Sequence, residues 1–157
     1  MRKVYLNHDG GVDDLVSLYL LLKMEDVELV GVGVIEADCY LEPAVEASKK
    51  IIQKFGSTED QRIRVASSNS RPVHPFPKEW RMHAFTVDAL PILNEHKPIL
   101  VQDSPYKAHE DLVHVLKEST DKVDLLFVGP LTDLARALDL DASIEEKIGK
   151  LYWMGGT

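Results

Sequence analysis

The sequence has very little cysteine and no long apolar run. Cys39 is the one cysteine in 157 residues, so no disulfide can form within the chain, and a reducing compartment is expected. No apolar run approaches the roughly 20 residues that a membrane-spanning helix needs. The apolar stretch near the start, residues 4–7, is too short for the core of a signal peptide. We therefore expect a cytoplasmic protein with no membrane partner.

Basic residues are also scarce relative to acidic ones. The chain has 18 Lys and Arg against 26 Asp and Glu, which gives a formal net charge of −8. Scattered cations in an acidic chain offer little to a phosphate backbone, so we expect no nucleic-acid partner. Hydrophobic residues make up 45% of the chain and charged residues 28%, which is ordinary for a globular protein and argues against disorder.

Apolar strands alternate with amphipathic helices along the chain. The pattern predicts strands at residues 4–6, 27–34, 63–66, 123–128 and 151–154, and helices at residues 13–23, 42–55, 108–118, 131–138 and 143–148. The stripe of helix 13–23 consists of Leu15, Leu18, Tyr19 and Leu22. Repeated β–α units favour the α/β class, with a mostly parallel sheet, a Rossmann-like core and helices on both faces.

Residues 67–107 interrupt this alternation. They contain six of the eight prolines and predict a long irregular loop excursion of the kind that often serves as a functional lid. At the other end of the chain, the strand at 151–154 runs into glycines without the loop and helix that usually follow. We therefore expect residues 1–157 to be the N-terminal portion of a single, incomplete domain.

Carboxylates are concentrated directly after the first strand. The segment 7–14 reads Asn-His-Asp-Gly-Gly-Val-Asp-Asp, in which two glycines permit a tight turn at the edge where ligands of such sheets lie. Converging carboxylates repel one another unless a cation is present, and hard oxygen ligands favour calcium or magnesium. Asp13 and Asp14 are also explained by a helix N-terminus, which acidic residues stabilise. The addition of Asp9 and the glycine pair favours a metal or catalytic site.

This segment resembles the opening motif of the inosine–uridine nucleoside hydrolase family, Asp-x-Asp-Pro-Gly-x-Asp-Asp. Residues 28–34 resemble the second strand of that family. Residues 37–39 fall where the family usually has a Gly-Asn pair, with Asp38 in place of the asparagine. Residues 128–135 resemble its Gly-Pro-Leu-Thr-Asn-Leu-Ala segment, and residues 153–156 resemble its Met-Gly-Gly turn. The resemblance covers nearly the whole chain and the N-terminal half of the family's fold.

The resemblance implies hydrolysis of the N-glycosidic bond of a ribonucleoside to a free base and ribose. Asp9 would bind calcium and act as the general base on a water molecule, and Asp14 and the backbone carbonyl of Val128 would bind the same ion. Asp13 and Asp38 would contact the ribose, and their charge would stabilise an oxocarbenium-like transition state. Members are commonly dimers or tetramers, so a homo-oligomer is compatible with the pattern.

Several other side chains near these segments are weaker candidates for the site. His83 lies where the family has a substrate-covering loop and is a candidate substrate contact, although a loop histidine without a role is the simpler interpretation. Trp80 and Phe85 would shelter a base or, as we favour, anchor the loop. Cys39 is best explained as a buried, inert thiol. His8 is expected to face away from the site, because strand side chains alternate.

Four positions depart from the family pattern: Asn7 and Asp133 stand where Asp and Asn are usual, Gly10 replaces proline, and Asp38 replaces asparagine. They indicate a divergent branch and keep open a non-catalytic relative that binds ribose or nucleosides. A phosphatase of the haloacid dehalogenase type is a weaker alternative, because Asn7 stands in place of its nucleophile. The family's remaining calcium aspartate and its base-associated histidine lie in the other half, so we expect this chain alone not to turn over nucleosides.

Overall fold

The computed structural model describes residues 1–74, 76–77, 79, 81, 83–95 and 98–155. Trp80, which we expect to anchor the loop, and Gly156, from the predicted glycine turn, lie outside these residues. Within the described part of the chain, no helix is long and apolar enough to cross a membrane.

Five strands form one parallel sheet, as the alternation of strands and helices predicts. They are β1 (Arg2–His8), β2 (Val27–Val34), β3 (Val65–Ser67), β4 (Val123–Phe127) and β5 (Ile148–Trp153). Their order in the sheet is β3-β2-β1-β4-β5, and all four neighbouring pairs are parallel. The order reverses between β1 and β4, and ligands of open α/β sheets bind at the carboxyl ends of strands beside such a switch point.

Four helices cover the two faces of the sheet: α1 (Val12–Leu21), α2 (Leu41–Phe55), α3 (Ala108–Glu118) and α4 (Thr132–Leu140). Successive residues of a strand point to opposite faces. Leu6 of β1 therefore packs in the apolar cluster formed with α1 and α2, and Tyr5 packs in the cluster formed with α3 and α4. The predicted α/β class with helices on both faces is confirmed.

The rotation of α1 differs from the predicted stripe. Tyr19 is 38% exposed, and Leu21 is buried in its place. The acidic residue Asp14 is also buried, because its carboxylate accepts hydrogen bonds from the backbone at the end of β1. This contact sets the rotation of the helix and leaves Tyr19 at its edge, where its ring meets Phe55 with a centroid distance of 5.0 Å. The short helix predicted at residues 143–148 is a 3₁₀ helix, Ala142–Lys147.

Between β3 and α3, the described residues contain two 3₁₀ turns, Val87–Ala89 and Pro91–Asn94. Lys50 of α2 holds both turns, since its ammonium group donates to the Asp88 carbonyl at 3.0 Å and to the Asn94 side chain at 3.0 Å. This segment therefore packs against α2.

Candidate functional site

The turn between β1 and α1 is fixed by His8 and Gly10. Gly10 has a φ of +87°, and a Cβ atom there would lie 2.5 Å from Cβ of Ala44. The Gly10 amide donates to Nδ1 of His8 at 3.1 Å, and Nε2 of His8 lies 3.0 Å from the hydroxyl of Ser48. Since Nδ1 accepts, the ring proton is assigned to Nε2, and burial lowers the pKa of His8 to about 4. His8 therefore faces α2 and does not line the cavity, in agreement with the expectation that it points away from the site, and it is a structural neutral histidine.

Two carboxylates are buried where this turn ends. Asp9 and Asp14 are 5% and 2% exposed. One oxygen of Asp14 accepts from the amides of Asp9 at 3.3 Å and Gly11 at 3.0 Å, so Asp14 does serve the helix N-terminus. Burial raises the pKa of both carboxyls, and for Asp14 the neighbouring Asp9 raises it further. The pair is therefore costly to ionise without a compensating positive charge.

Further carboxylate oxygens converge on Gly11. A Cβ atom at Gly11 would lie 2.6 Å from Oδ1 of Asp13, 2.9 Å from Oδ2 of Asp38 and 3.4 Å from Oδ2 of Asp14. Asp38 comes from the loop after β2, and its amide donates to Asp9 at 3.2 Å. A side chain at Gly11 would displace these carboxylate oxygens from their present positions.

The loop after β4 forms the opposite wall of the site. The Val128 amide donates to the Asn7 carbonyl at 3.0 Å, which continues the β1–β4 pairing. Gly129 packs so closely on Asp9 that a Cβ atom would lie 3.2 Å from Cγ of that residue. Trp153 of β5 donates from Nε1 to the Gly129 carbonyl at 3.2 Å. Together these elements enclose a cavity of about 390 Å³, lined among others by Asp9, Asp13, Asp14, Asp38, Val128 and Trp153.

The loop that carries His83 reaches the site through Asp38. Nε2 of His83 lies 3.8 Å from the Asp38 carboxylate, but its side chain is 47% exposed and does not line the cavity. Arg81 makes the firmer contact, donating from Nε to the Asp38 carbonyl at 2.7 Å while its guanidinium lies 4.5 Å from the Tyr40 ring centroid. Phe85 stacks on Tyr40 at 4.1 Å, which supports the predicted anchoring role. Sequence reasoning missed Arg81, because no local pattern marks an arginine that binds a distant carbonyl.

Phe76 is a second residue that sequence reasoning missed. It lines the cavity together with the aspartates. The signal available in the sequence was an aromatic residue between prolines within the excursion 67–107.

The donor set of the cavity fits a hard divalent cation. The carboxylates of Asp9 and Asp14, whose pKa values burial raises, are oxygen ligands of the kind that calcium and magnesium prefer. Among the described residues, the group of three potential ligand atoms that gathers within 4.8 Å comes from Asp38, Cys39 and His83, and it does not include Asp9 or Asp14. Burial, followed by the charge of Asp38, raises the pKa of Cys39 to about 12, so its sulfur is a protonated thiol and a poor ligand.

Comparison with known proteins places this geometry in a family. The chain is 25% identical over 155 residues to probable uridine nucleosidase 2 from Oryza sativa subsp. japonica, covering 99% of this chain and 45% of that protein. It is 24% identical over 159 residues to pyrimidine-specific ribonucleoside hydrolase RihB from Escherichia coli strain SE11, covering 99% of this chain and 48% of that protein. The chain thus spans about half the length of the curated relatives it matches.

A solved structure and a family model agree with these relatives. The chain superposes with a TM-score of 0.94 on an inosine-uridine preferring nucleoside hydrolase from Bacillus anthracis, to which it is 61% identical, covering 100% of this chain and 51% of that one. The family model of the inosine-uridine preferring nucleoside hydrolases matches residues 4–157. The resemblance carried by the aspartate motif is therefore confirmed, and the chain belongs to the inosine-uridine preferring nucleoside hydrolase family.

Proposed function

We propose that the chain supplies the acidic part of a calcium-dependent ribonucleoside hydrolase site. The observation that carries this proposal is the convergence of Asp9, Asp13, Asp14, Asp38 and Val128 on one cavity at the switch point of the sheet. The activities for which its relatives are named, uridine nucleosidase and ribonucleoside hydrolase, support a nucleoside as the substrate. Family membership also removes the support for a phosphatase.

Each residue then has a chemical role. Asp9, Asp14 and the carbonyl of Val128 would hold the calcium ion, which when bound lowers the pKa of a water molecule and orients it. Asp9 would accept the proton of the water that attacks the anomeric carbon, while the C–N bond breaks and the base leaves with a proton supplied from outside this half of the fold. Asp13 and Asp38 accept hydrogen bonds from ribose hydroxyls, and their negative charge stabilises the positive charge that develops on the sugar ring.

The proposal also covers the role of His83, the cellular location and the extent of the domain. We keep His83 as a candidate substrate contact, because its ring lies 3.8 Å from the Asp38 carboxylate. We further propose a cytoplasmic location, consistent with the free thiol of Cys39. Because the chain spans about half of its relatives, we propose that it is the N-terminal portion of the domain and that a further segment, in the same or a second polypeptide, completes the site.

Terbium titration tests the metal part of the proposal. Tb³⁺ occupies oxygen-rich calcium sites, and Trp153 lines the same cavity, so excitation of that ring would sensitise the bound ion. We expect a saturable luminescence signal that calcium reverses, with affinity weakened more than about tenfold in Asp9→Asn and Asp14→Asn. Asp26→Asn, an exposed substitution away from the cavity, is the matched control.

The outcomes separate the alternatives. Trp153→Phe should abolish the luminescence while a calcium-dependent rise in Tm remains. If the unaltered chain shows neither a saturable signal nor a calcium-dependent Tm, the metal site is wrong. Ribose release from uridine and inosine is the second measurement, and we expect none from the 157-residue chain alone. Binding of ribose without hydrolysis, even after the chain is combined with the complementary half of a relative, would identify the non-catalytic alternative.

A further inference from the structure

A second cavity lies between β2, the residues that lead into β3, and α3. Its volume is about 430 Å³, and it shares no lining residue with the cavity that holds the aspartates. Among the described strands, β3 is at one edge of the sheet and β5 at the other, so the two cavities are on different parts of the molecule. Pockets for small organic molecules usually measure roughly 300–1,000 Å³, and this cavity falls in that range.

Two arginines line this cavity from the same side of the chain. Arg62 ends a 3₁₀ turn, and the backbone at Ile63 is extended, with a φ of −61° and a ψ of 131°. Side chains alternate along an extended chain. Ile63 therefore enters the apolar cluster formed with α1 and α2, whereas Arg62 and Arg64 are exposed and line the cavity.

Neither guanidinium group makes a hydrogen bond or an ion pair with any residue in the described part of the chain. This distinguishes Arg62 and Arg64 from the other arginines of the sequence, of which there are four. Those four each have a partner: Arg2 pairs with Asp124, Arg71 with Glu36, Arg81 with the Asp38 carbonyl and Arg136 with Asn69. The two unpaired arginines of an acidic chain thus lie on one cavity.

The carboxylate nearest to them in the cavity wall is already satisfied. Asp111 is 7% exposed, and its oxygens accept from the Ser104 hydroxyl at 2.6 Å and from the Tyr5 hydroxyl at 3.0 Å. Burial raises the pKa of Asp111, and the positive charge of Arg64 opposes that rise, yet these two described side chains make no ion pair. Both arginines therefore remain free to bind an acceptor from outside the chain.

The rest of the cavity presents an aromatic and apolar surface. The Tyr106 ring stacks on the His114 imidazole with a centroid distance of 3.8 Å and an interplanar angle of 17°. The Tyr106 amide donates to the Ser104 hydroxyl at 3.2 Å, which fixes the backbone at this point. Val30 and Val115 also line the cavity. Such a surface stabilises the organic body of a ligand and adds little to the binding of a bare inorganic ion.

We propose that this cavity binds a small organic phosphate, with the phosphate group held by Arg62 and Arg64 and the organic body packed against Tyr106. The planar guanidinium fork matches phosphate oxygens and binds them through parallel hydrogen bonds. A phosphate monoester carries a charge of about −1.5 to −2 at pH 7, which balances two unpaired arginines, whereas a single carboxylate carries half of that charge. This site is independent of the metal site and of the proposed hydrolase function.

Calorimetric titration with phenyl phosphate and with inorganic phosphate tests the proposal. The 157-residue chain is titrated in the presence of a chelator, so that the candidate metal site does not contribute. We expect saturable binding of phenyl phosphate with a Kd below about 1 mM, and binding of inorganic phosphate at least about fivefold weaker. Arg62→Met and Arg64→Met should each weaken phenyl phosphate binding by about tenfold or more, since each removes charge-assisted hydrogen bonds. Lys122→Met removes one exposed positive charge outside the cavity and is the matched control.

Three further variants separate the parts of the site. Arg64→Lys keeps the charge but loses the fork, so phenyl phosphate should bind about threefold to tenfold more weakly. Tyr106→Ala should weaken phenyl phosphate and leave inorganic phosphate unchanged. Glu118 also lines the cavity, and Glu118→Gln should strengthen the binding of both anions because it removes a repelling charge. Because these side chains are exposed, we expect Tm to change by less than about 3 °C in each variant.

The contrary outcomes are distinct. If phenyl phosphate shows no saturable binding up to about 20 mM, or if Lys122→Met weakens it as much as the arginine variants do, the site is wrong. If inorganic phosphate binds as tightly as phenyl phosphate and depends on the same arginines, the cavity is a site for free phosphate and the organic ligand is wrong. None of these results depends on calcium binding or on nucleoside hydrolysis, so the proposed function is tested separately.

Discussion

Strands β1 and β5 belong to the same sheet and both end at the same cavity, yet they lie in different environments. β1 pairs with β2 and β4 and is buried from Val4 to His8. β5 pairs with β4 alone among the described strands, and its residues from Gly149 to Trp153 are exposed. Strands of a parallel sheet are ordinarily covered on both faces, as β1 is.

This difference separates the site into a fixed wall and an open wall. At the end of β1, His8 and Asp14 accept hydrogen bonds from the backbone of the turn, and the loop after β2 donates one to Asp9, so the turn is held before any ligand binds. At the end of β5, Trp153 keeps half of its surface exposed and makes one hydrogen bond to Gly129. Equivalent substitutions should therefore be costly at the first wall and nearly neutral at the second.

The largest contrast is expected from glycine-to-alanine substitutions. In Gly10→Ala the new methyl group meets Ala44 and Cys39 at 2.5 and 2.9 Å, in a backbone with a φ of +87°. Strain and overpacking together should cost about 4 kcal/mol, measured by chemical denaturation. In Gly155→Ala the three atoms nearest to the new methyl group belong to the exposed Trp153 ring, which can move, and the cost should stay below about 1 kcal/mol. Equal losses in the two variants would contradict the contrast.

A neighbouring pair in the sheet gives the next largest contrast. Leu125 of β4 and Leu151 of β5 are register partners, but Leu125 is fully buried and Leu151 is 44% exposed. Leu125→Ala should lower the free energy of unfolding by about 3 kcal/mol, because it leaves a cavity beneath α3 and α4. Leu151→Ala should lower it by less than about 1 kcal/mol. A loss above about 2 kcal/mol for Leu151→Ala would show that β5 is covered in solution.

The same contrast explains which parts of the fold are predictable from sequence. The predicted bounds of β2 (Val27–Val34) and α3 (Ala108–Glu118) match the structure, because a β-branched run and a clear helical period mark them locally. β1 is predicted at residues 4–6 and extends to His8, since its polar end is buried only through partners from distant elements. Local periodicity does not encode such partners.

The candidate site divides in the same way. The aspartates of the β1–α1 turn lie in one short segment, so their proximity follows from the sequence. The contact of Asn7 with Asp133 and the contact of Arg81 with Asp38 join segments that are 126 and 43 residues apart. These contacts depend on strand order and loop packing, which composition and periodicity do not determine.

Acid titration sharpens the comparison through His8. Its pKa is about 4 in the folded chain against 6.5 when exposed, because burial favours the neutral ring. The unfolded chain takes up this proton near pH 6.5 and the folded chain only near pH 4. The free energy of unfolding is therefore fully retained above pH 6.5 and falls by up to about 3 kcal/mol as the pH drops toward 4. The raised pKa values of Asp9 and Asp14 change the free energy of unfolding with pH in the opposite direction. Both residues are present in the unaltered chain and in a His8→Asn variant, so a comparison of these two proteins isolates His8.

The measurement for His8 is the difference in unfolding free energy between the unaltered chain and His8→Asn from pH 7 to pH 4. The variant should be less stable at pH 7, and the gap should close toward pH 4. His74→Asn, which changes an exposed histidine, is the matched control for the loss of an imidazole. Parallel curves for the unaltered chain and His8→Asn would mean that His8 does not titrate with folding.

The smallest effect on stability is expected at the exposed end of β5. Tyr152, Trp153 and Met154 are 43%, 50% and 54% exposed, and they form an apolar strip on an edge strand. Tyr152→Lys should change the unfolding free energy by less than about 0.5 kcal/mol, because little buried surface is lost. A charge on such an edge also opposes strand pairing between chains. Sedimentation at increasing concentration should therefore show weaker self-association for the variant, whereas Glu146→Lys, on an exposed residue outside the strip, should not. If Tyr152→Lys unfolds the chain as readily as Leu125→Ala does, β5 is a buried strand and the division into a fixed and an open wall is wrong.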